Sequence, residues 1–159
     1  MRITIISVGK LKERYWKNAI EEYSKRLSKY CKLEIMELPD EKTPENSSLA
    51  EEEQILKKEG QRIIKAIKQD ALVIALAIKG NMFSSEQFAA QIEKDTTQGI
   101  SHLIFIIGGS LGLSKEVMDR ADRAISFSAM TFPHQMMRVI LLEQIYRAMR
   151  IIKKEPYHK

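Results

Sequence analysis

Hydrophobic positions along the chain switch repeatedly between a period near two and a period near four. Arg2–Val8 alternates and is rich in Ile and Val, which predicts a strand, and Lys32–Leu38 predicts a second. Ala71–Ile78 is a continuous apolar run, the pattern of a parallel strand buried on both faces. Ser101–Ile107 and Ala124–Ser128 complete a set of five. Between the strands the pattern is helical. Lys10–Lys29 places Leu11, Tyr15, Ala19, Tyr23 and Leu27 at i, i+4 spacing, read as a core-facing stripe on a helix whose other faces are Lys, Arg and Glu. Ser48 with Glu51, and Ser84 with Gln87, form capping boxes that open helices reaching about Lys68 and Gly99. Ser114 caps a short helix to about Ala121. Pro39–Ser47 reads as a mobile loop and Lys79-Gly80-Asn81 as a turn.

The last element departs from this regularity. From Pro133 to about Ile152 the chain is helical, yet Met136, Met137, Val139, Ile140, Leu141, Leu142, Ile145, Tyr146 and Met149 occupy nearly every face. Such a helix is buried on more than one side, and in a chain of 159 residues a second copy can supply one of them. Strands and helices alternate throughout, so the expected fold is α/β: a mostly parallel sheet with helices on both faces, in one domain spanning 1–159. Ligands of such sheets sit beyond the carboxyl ends of the strands. Three segments converge there: the loop after Leu76, the glycine loop at Gly108, and Phe127–Phe132.

Composition narrows the chemistry. The longest apolar run is too short to span a bilayer, and the start MRITIISVGK has no signal-peptide layout. A single cysteine, Cys31, excludes an internal disulfide and a multi-cysteine zinc site, so a cytoplasmic protein is expected. Residues 1–30 carry eight Lys or Arg against three acids, and residues 114–159 carry nine against five. Basic ends suit a polyanion such as RNA.

The glycine run GGSLG frees backbone N–H groups beside a ligand, but it follows a late strand and no acid lies in 127–132, so it is a poor dinucleotide fingerprint. No GxxxxGK[ST] occurs. Ser110 lies outside a GxSxG elbow. His102, His134 and His158 lack metal-ligand spacing, and no metal is expected. His134 precedes Arg138 by one turn, so both can face one loop. Glu143, Arg147, Arg150 and Lys154 share a charged strip on the last helix.

The runs FIIGGSLGLS and SFSAMTFPHQMMRVILLEQIYRA, with the ending PYHK, resemble the RlmH family of small SPOUT-class (α/β-knot) methyltransferases, and the likeness covers essentially the whole chain. It implies S-adenosyl-L-methionine as cofactor and, as substrate, N3 of a pseudouridine in the helix 69 loop of 23S rRNA, in the large subunit or 70S ribosome. It implies a C-terminal trefoil knot and a homodimer packed through the last helix. By the same resemblance the cofactor site is Leu76, Gly108, Phe127, Ser128, Ala129, Met130, Thr131 and Phe132. Candidates for handling the N3 proton are Glu143, Arg147, Tyr157 and His158, the tail coming from either subunit. Two departures stand out: Ser110-Leu111 where many relatives have Pro-Glu, and Lys159 where many have Arg, which loses a planar fork suited to phosphate. A ribosome-binding factor that has lost catalysis, and a generic nucleotide-binding α/β module, are the alternatives.

Overall fold

A computed structural model describes residues 1–159. The element order is β1 (Arg2–Val8), α1 (Arg14–Leu27), β2 (Lys32–Leu38), α2 (Leu49–Ala66), β3 (Leu72–Met82), α3 (Ser85–Thr97), β4 (His102–Ile107), α4 (Lys115–Arg120), β5 (Arg123–Ser126) and α5 (His134–Ile152). The five strands form one sheet in the order β2-β1-β4-β3-β5, and every pairing is parallel. β1, β4 and β3 are therefore interior, and β4 (HLIFII) is buried at every position.

Side-chain alternation along β1 and β4 divides the core in two. Ile3, Ile5, Leu103, Phe105 and Ile107 point to one face, where α1, α3 and α5 supply Leu27, Phe88, Ile92, Leu141, Leu142 and Ile145. Ile6, Val8, Ile104 and Ile106 point to the other, against Ile63 of α2 and Val117 of α4. Helices thus cover both faces, as the all-parallel arrangement requires. Both capping boxes form, Ser48 with Glu51 and Ser84 with Gln87, and Ser114 caps α4. No helix is long and apolar enough to cross a membrane.

Two sequence expectations are corrected. Lys79-Gly80-Asn81 is not a turn that ends a strand. β3 pairs with β5 through Ala75↔Ala124 and Leu76↔Ile125, bulges, and resumes with Asn81↔Ile125 and Met82↔Ser126. The second correction concerns α1, which begins at Arg14 rather than Lys10. An i, i+4 stripe drifts about 40° around the helix at each step, so the line drawn back from Leu27 through Tyr23 and Ala19 leaves the core before it reaches Tyr15. Tyr15 is 64% exposed. The stripe that packs is Ile20, Tyr23 and Leu27, with Trp16 half-buried one turn before it.

α5 is tied to the far end of β1 by one side chain. Arg138 is 1% exposed. It donates to the carbonyls of Val8 (3.0 Å) and Gly9 (2.7 Å) and to Glu37 of β2 (2.8 Å). Burial lowers the guanidinium pKa and the Glu37 carboxylate offsets this. Replacing Arg138 with Met strips two buried carbonyls of a donor and leaves Glu37 only the Leu11 N–H, and is expected to cost about 3 kcal/mol, read as a fall in the urea midpoint.

His102 is buried, with Nε2 2.9 Å from Thr4 Oγ1. Burial lowers its pKa, and Arg2 and Lys68 lower it further against Asp70 and Glu34. The folded protein then binds fewer protons than the unfolded chain at mildly acid pH, so stability rises with pH there. It is complete above the unfolded value of about 6.5 and is lost as pH falls from there through the folded value. Urea titrations across that window are expected to show the fall. His102→Gln should flatten it, leaving the share due to His134, whose pKa burial also lowers.

Candidate active site

The carboxyl ends of β3, β4 and β5 open into a cleft of about 580 Å³, a size that suits a nucleoside-bearing small molecule. Its floor is the loop after β4. A Cβ built on Gly108 would lie 2.4 Å from the carbonyl oxygen of Gly112 and 2.6 Å from its carbon, so only glycine lets this loop fold back on itself. The fold is closed by Gly112 N–H donating to Gly109 O at 3.1 Å, with Gly112 at φ +83°.

The opposite wall is the segment after β5. Ser126 Oγ donates to the Ser128 carbonyl (3.0 Å), and Ser128 Oγ accepts from Met130 N–H (2.9 Å). These local bonds shape the loop without a regular element. Pro133 then sets φ −54° and α5 follows, with Met137 N–H bonded to the Pro133 carbonyl at 3.0 Å.

Seven of the eight residues expected at the cofactor site line this cleft: Leu76, Gly108, Phe127, Ser128, Met130, Thr131 and Phe132. Ala129 does not; it lies at the exposed outer bend of the loop. Sequence reading passed over Lys79, Leu111, Leu113, Met118 and Met137, which also line it, as does His134, which it had singled out with Arg138. Lys79 is the only lysine or arginine there and sits on the β3 bulge. Leu113 and Met118 flank the Ser114 cap of α4, the signal that could have found them. Leu111, at one family departure, faces the cleft, whereas its neighbour Ser110 is exposed and lies 3.4 Å from Thr43 Oγ1. As expected, His134 and Arg138 face one loop, the turn at Gly9.

The four proton-handling candidates gather elsewhere. None of them lines the cleft. Arg147 sits ten residues beyond Met137 along α5, about 15 Å of helix. There Glu143 Oε1 accepts from Arg147 Nη2 (2.6 Å) and Nε (2.9 Å), and Glu143 Oε2 accepts from Tyr157 Oη (2.8 Å). His158 Nδ1 is 3.3 Å from Arg147 Nη1, and its Nε2 is 2.7 Å from Glu86 Oε1. The Tyr157 ring lies between Tyr146, with centroids 4.9 Å apart, and the Arg147 guanidinium at 4.6 Å. Burial and then the Glu143 carboxylate push the Tyr157 hydroxyl pKa up, so it stays a donor. The hydrogen bond to Glu143 raises the Arg147 pKa. Glu86 is held down at about 2 by its own backbone N–H, then by Ser84 and His158. The ending PYHK is thus docked against its own chain rather than lying free as a polar tail, with Arg150 donating to the Pro156 carbonyl at 2.8 Å.

A mainly apolar cleft at the carboxyl edge of an all-parallel sheet, walled by main chain from three loops, is the build of an α/β protein that grips a small ligand at its sheet edge. The chain belongs to the SPOUT methyltransferase family: the family model described as "Predicted SPOUT methyltransferase" matches residues 1–158. Membership carries the α/β-knot fold with it. The chain is 63% identical to "Ribosomal RNA large subunit methyltransferase H 1" of Clostridium perfringens strain SM101, over 159 residues and the full length of both. It is 60% identical, again over both full lengths, to "Ribosomal RNA large subunit methyltransferase H" of Clostridium botulinum strain 657.

Glu143 is the acceptor on which the tail is docked. Glu143→Gln is expected to weaken that docking by about 1.5 kcal/mol, seen as a roughly tenfold larger undocked fraction of the tail in the NMR signals of the Tyr157 ring.

Proposed function

We propose that the protein methylates 23S rRNA of the large ribosomal subunit in the cytoplasm, at N3 of a pseudouridine in the helix 69 loop, using S-adenosyl-L-methionine. The observation that carries this reading is the coincidence of the cleft with the three segments of the chain that resemble the family's cofactor site. The full-length identity to large-subunit rRNA methyltransferases supports the substrate.

The residues present fit the cofactor. Leu76, Phe127 and Phe132 supply apolar walls for a purine, and the Gly108 loop brings bare backbone against it. Ser128 and the surrounding main chain supply polar contacts. When bound, S-adenosylmethionine supplies a methyl group on a sulfonium, which is already a strong electrophile. The protein's part is alignment of the accepting nitrogen, exclusion of water, and care of the N3 proton. Arg147, held cationic by Glu143, steadies the negative charge left on the base. The imidazole of His158 takes the proton on Nδ1 once that nitrogen leaves the Arg147 guanidinium, a role worth roughly 10²–10⁴ in rate. Tyr157 holds the Glu143 carboxylate in place.

The proton-handling groups are centred on the middle of α5, with Arg147 about 15 Å of helix beyond Met137 at the cleft, so in this reading a complete site takes the tail of a second copy at the cleft of the first. Half-buried Met136, Val139 and Ile140 on α5, with exposed Met82, Phe83 and Met130 nearby, supply apolar surface for such a homodimer.

The test is transfer of a labelled methyl group to 50S and 70S particles from a strain that lacks this modification, with the product nucleotide mapped. Methyl at one helix 69 pseudouridine is expected. Unlabelled rRNA, or label elsewhere, overturns the reading. In the same assay Gly108→Ala and Tyr157→Phe are each expected to be impaired. Gly108→Ala should also lose at least about tenfold in cofactor affinity by calorimetry, because its methyl forces the glycine loop apart.

A further inference from the structure

Tyr15 is a large aromatic residue on the outside of the protein with no hydrogen-bond partner. It lies in the first turn of α1, 64% exposed, and its ring meets that of Trp16 with centroids 5.1 Å apart and planes at 59°. Four exposed cations surround the pair in sequence: Lys10, Lys12, Arg14 and Lys17, with Glu13 the only acid between them. An aromatic face left open to solvent beside clustered cations is the combination that stacks a nucleobase and neutralises its phosphates.

The segment carrying the pair is fixed. Gly9 turns the chain at φ +90° immediately after β1, and its N–H donates to the Leu38 carbonyl at 2.8 Å. Leu11 is buried and its N–H donates to Glu37 Oε1 at 3.1 Å. Arg138 holds the Val8 and Gly9 carbonyls. The platform therefore stands at the carboxyl edge of the sheet, the edge that holds the cleft, and is bolted to the helix whose first turn lines that cleft.

We propose that Tyr15, seated on Trp16, is a stacking platform for an unpaired base of the RNA substrate, with Lys10, Lys12, Arg14 and Lys17 contacting the adjoining phosphates. This rests on the rRNA reading above. The base is unpaired because a base within a duplex offers no free face.

The test has two arms. In methyl transfer to ribosomal particles at fixed salt, Tyr15→Ala is expected to raise the KM for the particle about tenfold, and Tyr15→Phe to restore it. The loss should fall on KM rather than kcat, with the urea midpoint unchanged, which a merely structural role would not give. A wild-type KM for Tyr15→Ala overturns the platform. The second arm uses Trp16, the only tryptophan in the chain. Its fluorescence is expected to be quenched by single-stranded oligouridylate and not by a duplex of matched length, and the quench should weaken in Tyr15→Ala. If the wild-type protein methylates no particle, the rRNA reading falls, and the fluorescence arm still decides: quenching by the single strand keeps the platform, and its absence removes it.

Discussion

The guanidinium of Arg138 joins the two halves on which everything else depends. One half is the sheet, whose β1 ends at Val8; the other is α5, which starts at the cleft and finishes at the tail. A buried cation is costly unless paired and hydrogen-bonded. Arg138 meets that cost with two main-chain carbonyls and Glu37, although its Nε finds no acceptor. The carbonyls it takes are those of Val8 and Gly9, where the chain leaves the sheet edge. One residue therefore fixes the origin of α5, the direction of the β1–α1 segment and, through Glu37, the end of β2. An apolar side chain in its place would fill the volume but would set none of these directions.

Much of the fold was legible because its determinants are local. The boundaries of β1 and β2 follow from alternation, and α2, α3 and α4 start where serine caps them. Ala71–Ile78 reads as an interior strand because a strand buried on both faces offers few polar positions, and β3 does lie inside the sheet between β4 and β5. What was not legible depends on contacts far apart in sequence. β3 carries on to Met82 because β5 pairs with it on both sides of the bulge, and Lys79-Gly80-Asn81 alone looks like a turn. Tyr15 was misplaced because spacing of four is only nearly the helical repeat, and the error accumulates over three steps.

The candidate site was legible in the same uneven way. Glycines after a central strand point to a cleft without any knowledge of its far wall, so Gly108 and Leu76 were within reach. Phe127–Phe132 contains no motif readable by spacing; its place after the last strand put it at the sheet edge, and its assignment to a cofactor came from likeness to a family. Ala129 was carried along with its neighbours, although the Ser126–Ser128–Met130 bonds turn it outward. Lys79 and Met137 were missed because a bulge and a helix start bring them to the cleft, and neither is visible in the periodicity.

The distribution of charge and apolar surface over α5 then has a single physical explanation. Within one chain, Leu141, Leu142, Ile145, Ala148 and Met149 are spent on the core, which leaves Met136, Val139 and Ile140 only half covered. The Glu143–Arg147–Tyr157–His158 network is fully hydrogen-bonded, yet it stands three turns from the cleft it would serve. A monomer offers no reason for an ordered polar network of this kind to sit beside apolar surface that nothing covers. In the proposed homodimer, packing α5 against its copy would supply both reasons at once. The apolar strip would become an interface, and the network of one chain would gain a way to reach the cleft of the other.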